Sequence, residues 1–301
     1  MFHKIAFILE KVGGLWYNVN VYFCALSHSV ALCSRVRTVN GVSMGKIIAF
    51  SNQKGGVGKT TTAINLAAYV ADTGRKVLLI DFDPQGNATS GYGVEKNELE
   101  HSTYDVLMGD CKAADAVLPT VIDNLFIIPA HEDLAGAEVD LVSVPQRESA
   151  LKRALASVKD DYDYIFVDCP PSLGLLMLNA LVAANSVIIP IQSEFFALEG
   201  LSQLMNTIKI VKQRLNPTLN INGVVLTMYD MRTTMSKQVT EELFKYFGEK
   251  IYTVPVPRNI KLVESPSYGI PIMLHAPKCN GALAYSALAK QFLDREENYN
   301  G

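Results

Sequence analysis

The tightest constraint on this chain is the segment Asn-Gln-Lys-Gly-Gly-Val-Gly-Lys-Thr-Thr-Thr at positions 52–62, set between an apolar run and a stretch of helical period. Gly55, Gly56 and Gly58 let the backbone bend tightly and approach an anion at points where a Cβ would obstruct it. A loop that leaves a strand and opens a helix also contributes the free N–H groups of the helix N-terminus. Residues 54–61 (Lys54, the three glycines, Val57, Lys59, Thr60 and Thr61) therefore predict a phosphate cradle. Lys59 would reach the β- and γ-phosphates of a nucleotide, and the Thr60 hydroxyl would ligate Mg²⁺.

From position 44 onward, short apolar runs alternate with longer stretches of helical period. That is the pattern of an α/β fold with a doubly wound, mostly parallel sheet flanked by helices. Strands are predicted at 46–51, 77–82, 125–129, 164–168, 186–191, 222–227 and 251–254. Most lack the polar alternation of a half-exposed strand, so they belong at the buried centre of the sheet. Helices are predicted at 60–73, closed by Gly74, and at 147–158, 173–184, 198–215, 236–247 and 282–295, with Pro217 stopping the fourth. The chain has 301 residues, 49% of them hydrophobic, which suffices for one large core. The expected organisation is an N-terminal extension at 1–43, one domain at 44–297 and a flexible tail at 298–301.

Three acids fall where that sheet presents its carboxyl edge. Asp81 and Asp83 open the run Asp-Phe-Asp-Pro-Gln-Gly-Asn-Ala-Thr at 81–89. At i and i+2 on a strand end they point the same way, so both can face phosphates and metal. Asp168 ends the strand Tyr-Ile-Phe-Val-Asp at 164–168, at the edge where open α/β sheets bind their ligands. Taken alone, the first pair also reads as surface acids flanking a turn.

The loop departs from the general phosphate-loop pattern at one place: Gln53 stands where the first glycine belongs, and Lys54 precedes Gly55. Lys-Gly-Gly-x-Gly-Lys-Ser/Thr is the deviant Walker A loop. Together with Asp-x-Asp-Pro-Gln-x-Asn, the Asp168 strand, the run at 190–200 and Val256-Pro257-Arg258-Asn259, it makes the chain resemble the ParA/MinD ATPases and their nitrogenase iron-protein relatives. The matches run from about residue 45 to 293. The resemblance implies a P-loop NTPase with ATP and Mg²⁺ as cofactors and an ATP-dependent homodimer. Within it Lys54, otherwise readable as a solvated loop lysine, reaches the partner subunit's nucleotide. It also implies that Asp83 positions the attacking water, that Asp81 and Asp168 serve the Mg²⁺ shell with Thr60, and that Pro257 and Asn259 meet the base. Lys54, Lys59 and Asp83 would then carry catalysis.

The Asp-Pro-Gln-Gly-Asn-Ala-Thr run, Pro-Pro-Ser-Leu at 170–173 and Glu199-Gly200-Leu201 look most like the chromosomal ParA branch called Soj. That likeness implies a cytoplasmic, nucleoid-associated protein that binds double-stranded DNA without sequence preference when ATP has paired it. A ParB-type, DNA-bound partner would stimulate hydrolysis during chromosome or plasmid segregation. Such binding needs clustered bases. Lys209, Lys212, Arg214, Arg232, Lys237, Lys245, Lys250 and Lys261 are the candidates, each equally readable as part of a solvated helix face balanced by Glu241, Glu242 and Glu249. A net charge of −3 confines any nucleic-acid contact to a local patch.

Two other readings stay in view. A MinD-like membrane-surface positioning ATPase would end in a basic amphipathic helix, whereas Asp294, Glu296 and Glu297 near this terminus would be repelled by anionic lipid. A cellular-positioning or metabolic ATPase could use the same dimer switch without DNA. An iron–sulfur role is disfavoured, because Cys169 directly follows Asp168 and precedes two prolines; it reads as a small core residue. The five cysteines form no Cys-x-x-Cys pair, which argues against zinc or a disulfide framework and for reduced cytosolic thiols.

The first 43 residues stand apart. Positions 12–33 hold no Asp, Glu, Lys or Arg and include Trp16, long enough for a membrane span, yet Asn18, Asn20, Ser27, His28 and Ser29 interrupt them. No signal-peptide cleavage pattern follows a compact apolar run. The reading favoured is that Met44 is the true start. Without Lys4, Lys11, Arg35, Arg37 and Glu10, 23 basic residues face 29 acidic ones.

Overall fold

In the computed structural model the apolar runs pair as a seven-stranded sheet: Lys46–Phe50 (β1), Val77–Asp81 (β2), Leu118–Pro119 (β3), Leu125–Ile128 (β4), Tyr164–Asp168 (β5), Ser186–Gln192 (β6) and Asn220–Thr227 (β7). The structure describes residues 45–194, 197–230 and 232–298. The expected extension at 1–43 and positions 299–301 of the expected tail lie outside the described residues, as do Phe195 and Phe196. The strand order is β3-β4-β2-β5-β1-β6-β7, with β3 antiparallel and every other pair parallel. Every residue of β2 and β5 is buried, as expected for central strands covered on both faces.

Alternation within the strands sends residues to two cores. Ile47, Ala49, Leu78 and Ile80 join the face packed by Leu175–Ala183 (α2), Ala197–Arg214 (α3) and Thr234–Phe247 (α4). Ile48, Phe50, Val77 and Leu79 join the face packed by Lys59–Asp72 (α1) and Asn280–Asn298 (α5). Helix α1 stops where Gly74 takes a φ of 87°, a conformation costly for any residue with a Cβ. Among the described residues no helix is long and apolar enough to cross a membrane.

The strand expected at 251–254 does not form: Ile251 makes a single bridge to Val224, and after the Tyr252 N–H donates to the Val224 carbonyl the next β7 carbonyl, that of Leu226, is met only by the Val256 N–H, so the segment bows away from a regular ladder while the Thr253 N–H donates to the Gln291 side chain. The helix expected at 147–158 is α-helical only over Ala150–Leu155, behind a 3₁₀ turn at Arg147–Ser149. The two-residue strand β3 and the short helices Asn87–Gly91 and Thr103–Met108 were not foreseen.

Candidate active site

Strand β1 lies between β5 and β6, so the loop that follows it emerges at the centre of the carboxyl edge, the position where open α/β sheets bind ligands. Gly58 is the N-cap of α1, with a φ of 80°. Having no side chain, it caps none of the first-turn N–H groups, which stay available to an anion. A Cβ on Gly58 would meet Thr227 at 3.6 Å, and Gly56 is likewise left-handed, with a φ of 71°. The loop borders a cavity of about 670 Å³, lined on the phosphate side by Gly55, Gly56, Gly58, Lys59, Thr60 and Thr61.

The side chains within the loop divide by role. Lys59 is buried and its ammonium donates to the Lys54 carbonyl at 3.1 Å. Burial pulls its pKa below the ordinary lysine value, and the nearby Asp168 charge opposes that shift. Val57 faces the core rather than the cavity, and only its backbone serves the site: its carbonyl accepts a 2.8 Å hydrogen bond from the Thr227 hydroxyl at the end of β7. Lys54 stands outside the cavity, its ammonium 2.8 Å from Glu194, with both partners substantially exposed. Buried Asn52 braces the loop by donating to the Pro190 carbonyl at 2.7 Å and accepting from the Lys54 N–H at 3.0 Å.

The three acids do not share one environment. Asp83 lines the cavity, and its Oδ1 accepts the Gln85 N–H at 3.0 Å. Asp168 is fully buried and neither of its carboxyl oxygens has a hydrogen-bond partner. Burial and then the neighbouring Asp81 charge push its pKa well above the usual carboxylate range; the Thr60 hydroxyl eases its ionisation from nearby without forming a hydrogen bond. An orphaned, buried carboxylate behind a phosphate cradle is the donor a hard divalent cation requires. Thr60 and Asp168 therefore fit Mg²⁺. Among the described residues no three His, Cys, Asp or Glu side chains converge as a metal cage, which suits an ion that keeps waters and phosphate oxygens as ligands.

Asp81 departs from expectation. It lies level with Asp168 across the β2–β5 ladder, but its carboxylate is engaged in holding backbone. Its Oδ2 accepts the Thr89 N–H and the Thr89 hydroxyl, both at 2.7 Å, and its Oδ1 accepts the Asp83 N–H at 3.3 Å. Burial pushes its pKa up to about 6, against the pull of those hydrogen bonds. Asp168 thus keeps both carboxyl oxygens free of hydrogen-bond partners, whereas both oxygens of Asp81 are engaged in holding the loop that follows it.

At the other end of the cavity Pro257 and Asn259 line the wall together with Met228, Val256 and Leu262. The Asn259 Oδ1 is used as an N-cap, accepting the Lys261 N–H at 2.8 Å. Met228 adopts a φ of 48°, and a bridge between Tyr229 and Pro257 ties this wall to the end of β7. Met228, Thr227 and Asn52 escaped the sequence reading because each acts through a contact made only by the fold; the Thr227–Val57 bond spans 170 positions. The eight basic candidates are all exposed, on or near α3, α4 and the segment after them, and Arg232, Lys245 and Lys261 pair with Asp230, Glu242 and Glu264. Cys169 is buried, and burial pushes its thiol pKa far up, as for a core residue.

Residues 45–221 match the family model described as an AAA domain. The chain is 56% identical over 248 residues to the sporulation initiation inhibitor protein Soj of Bacillus subtilis, covering 82% of this chain and 98% of that protein. It is 51% identical over 253 residues to the chromosome-partitioning ATPase Soj of Treponema pallidum, covering 84% and 99%. Among solved structures it resembles the cobyrinic acid a,c-diamide synthase of Mycobacterium smegmatis with bound ADP and magnesium. The TM-score there is 0.75 with 39% identity, over 84% of this chain and 96% of that one.

Proposed function

The chain belongs to the ParA/Soj family of chromosome-partitioning P-loop ATPases, and from that premise we propose that it is a nucleotide-gated switch that pairs around ATP, binds DNA and lets go after hydrolysis. It is an ATPase that uses ATP with Mg²⁺. The observation that carries the reading is the contrast between the two loop lysines: Lys59 is buried in the cradle, while Lys54 stands outside its own cavity and only half-buried, as a group meant for another subunit's nucleotide would be.

Phosphoryl transfer to water depends on positioning and charge neutralisation more than on covalent chemistry. Lys59 and the N-terminus of α1 bind and orient the phosphates. Thr60 and Asp168 would hold Mg²⁺, which when bound would neutralise charge on the phosphate oxygens. Asp83, on the cavity wall, orients the attacking water, and Lys54 of the partner subunit completes the charge balance. Pro257, Asn259 and Met228 receive the base.

As a homodimer the protein would coat nucleoid DNA in the cytoplasm through its exposed bases, and a ParB-type partner would trigger release. The first test is ATP-dependent retention of DNA by the protein beginning at Met44. Asp83→Ala should trap an ATP-bound, DNA-retained dimer with turnover reduced about 10²-fold, the usual scale for a lost general base or water-orienting group. No DNA retention in any nucleotide state would leave a cellular-positioning or metabolic ATPase as the reading. Flotation with anionic liposomes tests the membrane-surface alternative, on proteins beginning at Met1 and at Met44.

A further inference from the structure

We infer that Thr89 is a positioning residue for hydrolysis: its hydroxyl and N–H hold the loop carrying Asp83 in register with the phosphate cradle. The inference rests on the role proposed above for Asp83. Thr89 ends the Asp-Pro-Gln-Gly-Asn-Ala-Thr run and touches neither the cavity nor any exposed surface; it is fully buried.

Three hydrogen bonds converge on its N–H and hydroxyl. The Thr89 N–H and hydroxyl both donate to Asp81 Oδ2 at 2.7 Å, so the hydroxyl hydrogen is committed to that carboxylate. The hydroxyl oxygen in turn accepts the Ala130 N–H at 2.9 Å, two residues beyond the end of β4. Thr89 thus bridges the ends of two adjacent parallel strands, β2 and β4. The other oxygen of the same carboxylate accepts the Asp83 N–H, and the loop turns back on itself where the Gly86 N–H donates to the Asp83 carbonyl at 2.8 Å. A second buried threonine, Thr103, donates from its hydroxyl to the Asp81 carbonyl at 2.8 Å. Asp81 is therefore clamped at both its carboxylate and its carbonyl, and Asp83 hangs from it by one turn of chain.

The cradle and its lysine make none of these hydrogen bonds, since Lys59, Thr60 and the glycines depend on α1, Asn52 and Thr227. Loosening Thr89 should therefore disturb the placement of Asp83 while leaving nucleotide binding intact. That separation distinguishes it from a residue that merely supports the fold.

The experiment compares Thr89→Val, which keeps the shape and removes the hydroxyl, with Thr89→Ser, which restores the hydroxyl. Both are measured alongside Asp83→Ala and the double variant Thr89→Val/Asp83→Ala. Thr89→Val should lower kcat about 10-fold or more and leave the Kd for ATP and the Mg²⁺ concentration for half-maximal turnover within about 3-fold. Thr89→Ser should recover kcat to within about 3-fold of the parent. In the Asp83→Ala background Thr89→Val should cost nothing further. The inference is overturned if Thr89→Val turns over like the parent while Asp83→Ala is impaired, if its loss lies in ATP affinity, or if Thr89→Ser is as slow as Thr89→Val. Full activity of Asp83→Ala would instead bring down the role assigned to Asp83.

Discussion

The carboxyl edge at β1, β2 and β5 and the far edge at β7 are built on opposite plans. At the centre each functional group occurs once, is buried and is individually held: Lys59 on the Lys54 carbonyl, Asp83 on the Gln85 N–H, Asp81 on Thr89. At the β7 side the functional candidates are many, similar and exposed; the Arg232 and Lys245 side chains are 89% and 70% accessible. Charge is divided the same way along the chain. Residues 205–261 hold nine Lys/Arg against four Asp/Glu, whereas residues 95–141, around the β3–β4 edge, hold eleven acids against two lysines. A phosphate backbone would be drawn to one edge of the sheet and repelled from the other, even though the protein as a whole is acidic. Burial makes single groups decisive, and exposure makes a surface collective.

The sharpest way to break that contrast is at the buried lysine. Lys59→Ala should abolish ATP turnover by more than about 10³-fold, since it removes the one ammonium inside the cradle. Phosphate release assays and nucleotide binding check it; a mild defect would place the catalytic charge elsewhere. Lys54 tests the boundary between the two plans, being half-exposed but unique. Lys54→Ala should leave ATP binding within a few-fold, remove the ATP-dependent dimer in light scattering, and lower turnover roughly 10²- to 10³-fold. Its ion pair with Glu194 is exposed on both sides and is worth little to the fold, so thermal stability should hardly move.

The buried acids make a smaller prediction about pH. The folded-state pKa of Asp81 is about 6, against 3.8 for an ordinary aspartate, and that of Asp168 is raised as well. Between those values the folded state binds more protons than the unfolded chain, so the stability of the nucleotide-free protein should fall as pH rises from about 4 to 6. Asp168→Asn removes one buried charge and relieves the other. It should stabilise the nucleotide-free protein at pH 7 by about 1 kcal/mol, roughly 2–4 °C in Tm, and flatten the pH profile. Calorimetry without nucleotide or magnesium reads both; a rise in stability over the same pH interval would show that these acids are ionised and well solvated.

How much of this was legible follows the same divide. The cradle was readable because its chemistry is local: glycines, a lysine and a threonine in consecutive positions, between a strand and a helix. Asp168 was readable from an apolar run ending in an acid. The duty of Asp81 was hidden, since an acid that ligates metal and one that accepts two bonds from a threonine eight positions away look alike in sequence. Thr227 and Asn52 were invisible because their partners lie far along the chain, Val57 in the cradle for the first and Pro190 in β6 for the second. The strand expected at 251–254 failed because the segment bows between its two bonds to β7, with the Thr253 N–H on a side chain of the last helix, which an apolar pattern does not reveal; β3 carries no signal because two residues have no periodicity.

The exposed edge supplies the smallest single effects and the strictest test of its collective character. Reversing Lys209, Arg214 or Lys237 one at a time should weaken ATP-dependent DNA binding only about 2- to 5-fold each, with effects that add across positions and do not depend on DNA sequence. Each reversal should also lower the slope of log affinity against log salt by about 1, because one fewer phosphate is neutralised. Arg232, Lys245 and Lys261 start from ion pairs with their own acids. A base that must leave an acidic partner to meet a phosphate gains less, so their reversal should cost less than that of Lys209, Arg214 or Lys237. A single reversal that abolished binding without changing the salt slope would mean that the β7 edge contains a site as specific as the cradle, and the two-plan contrast would fail there.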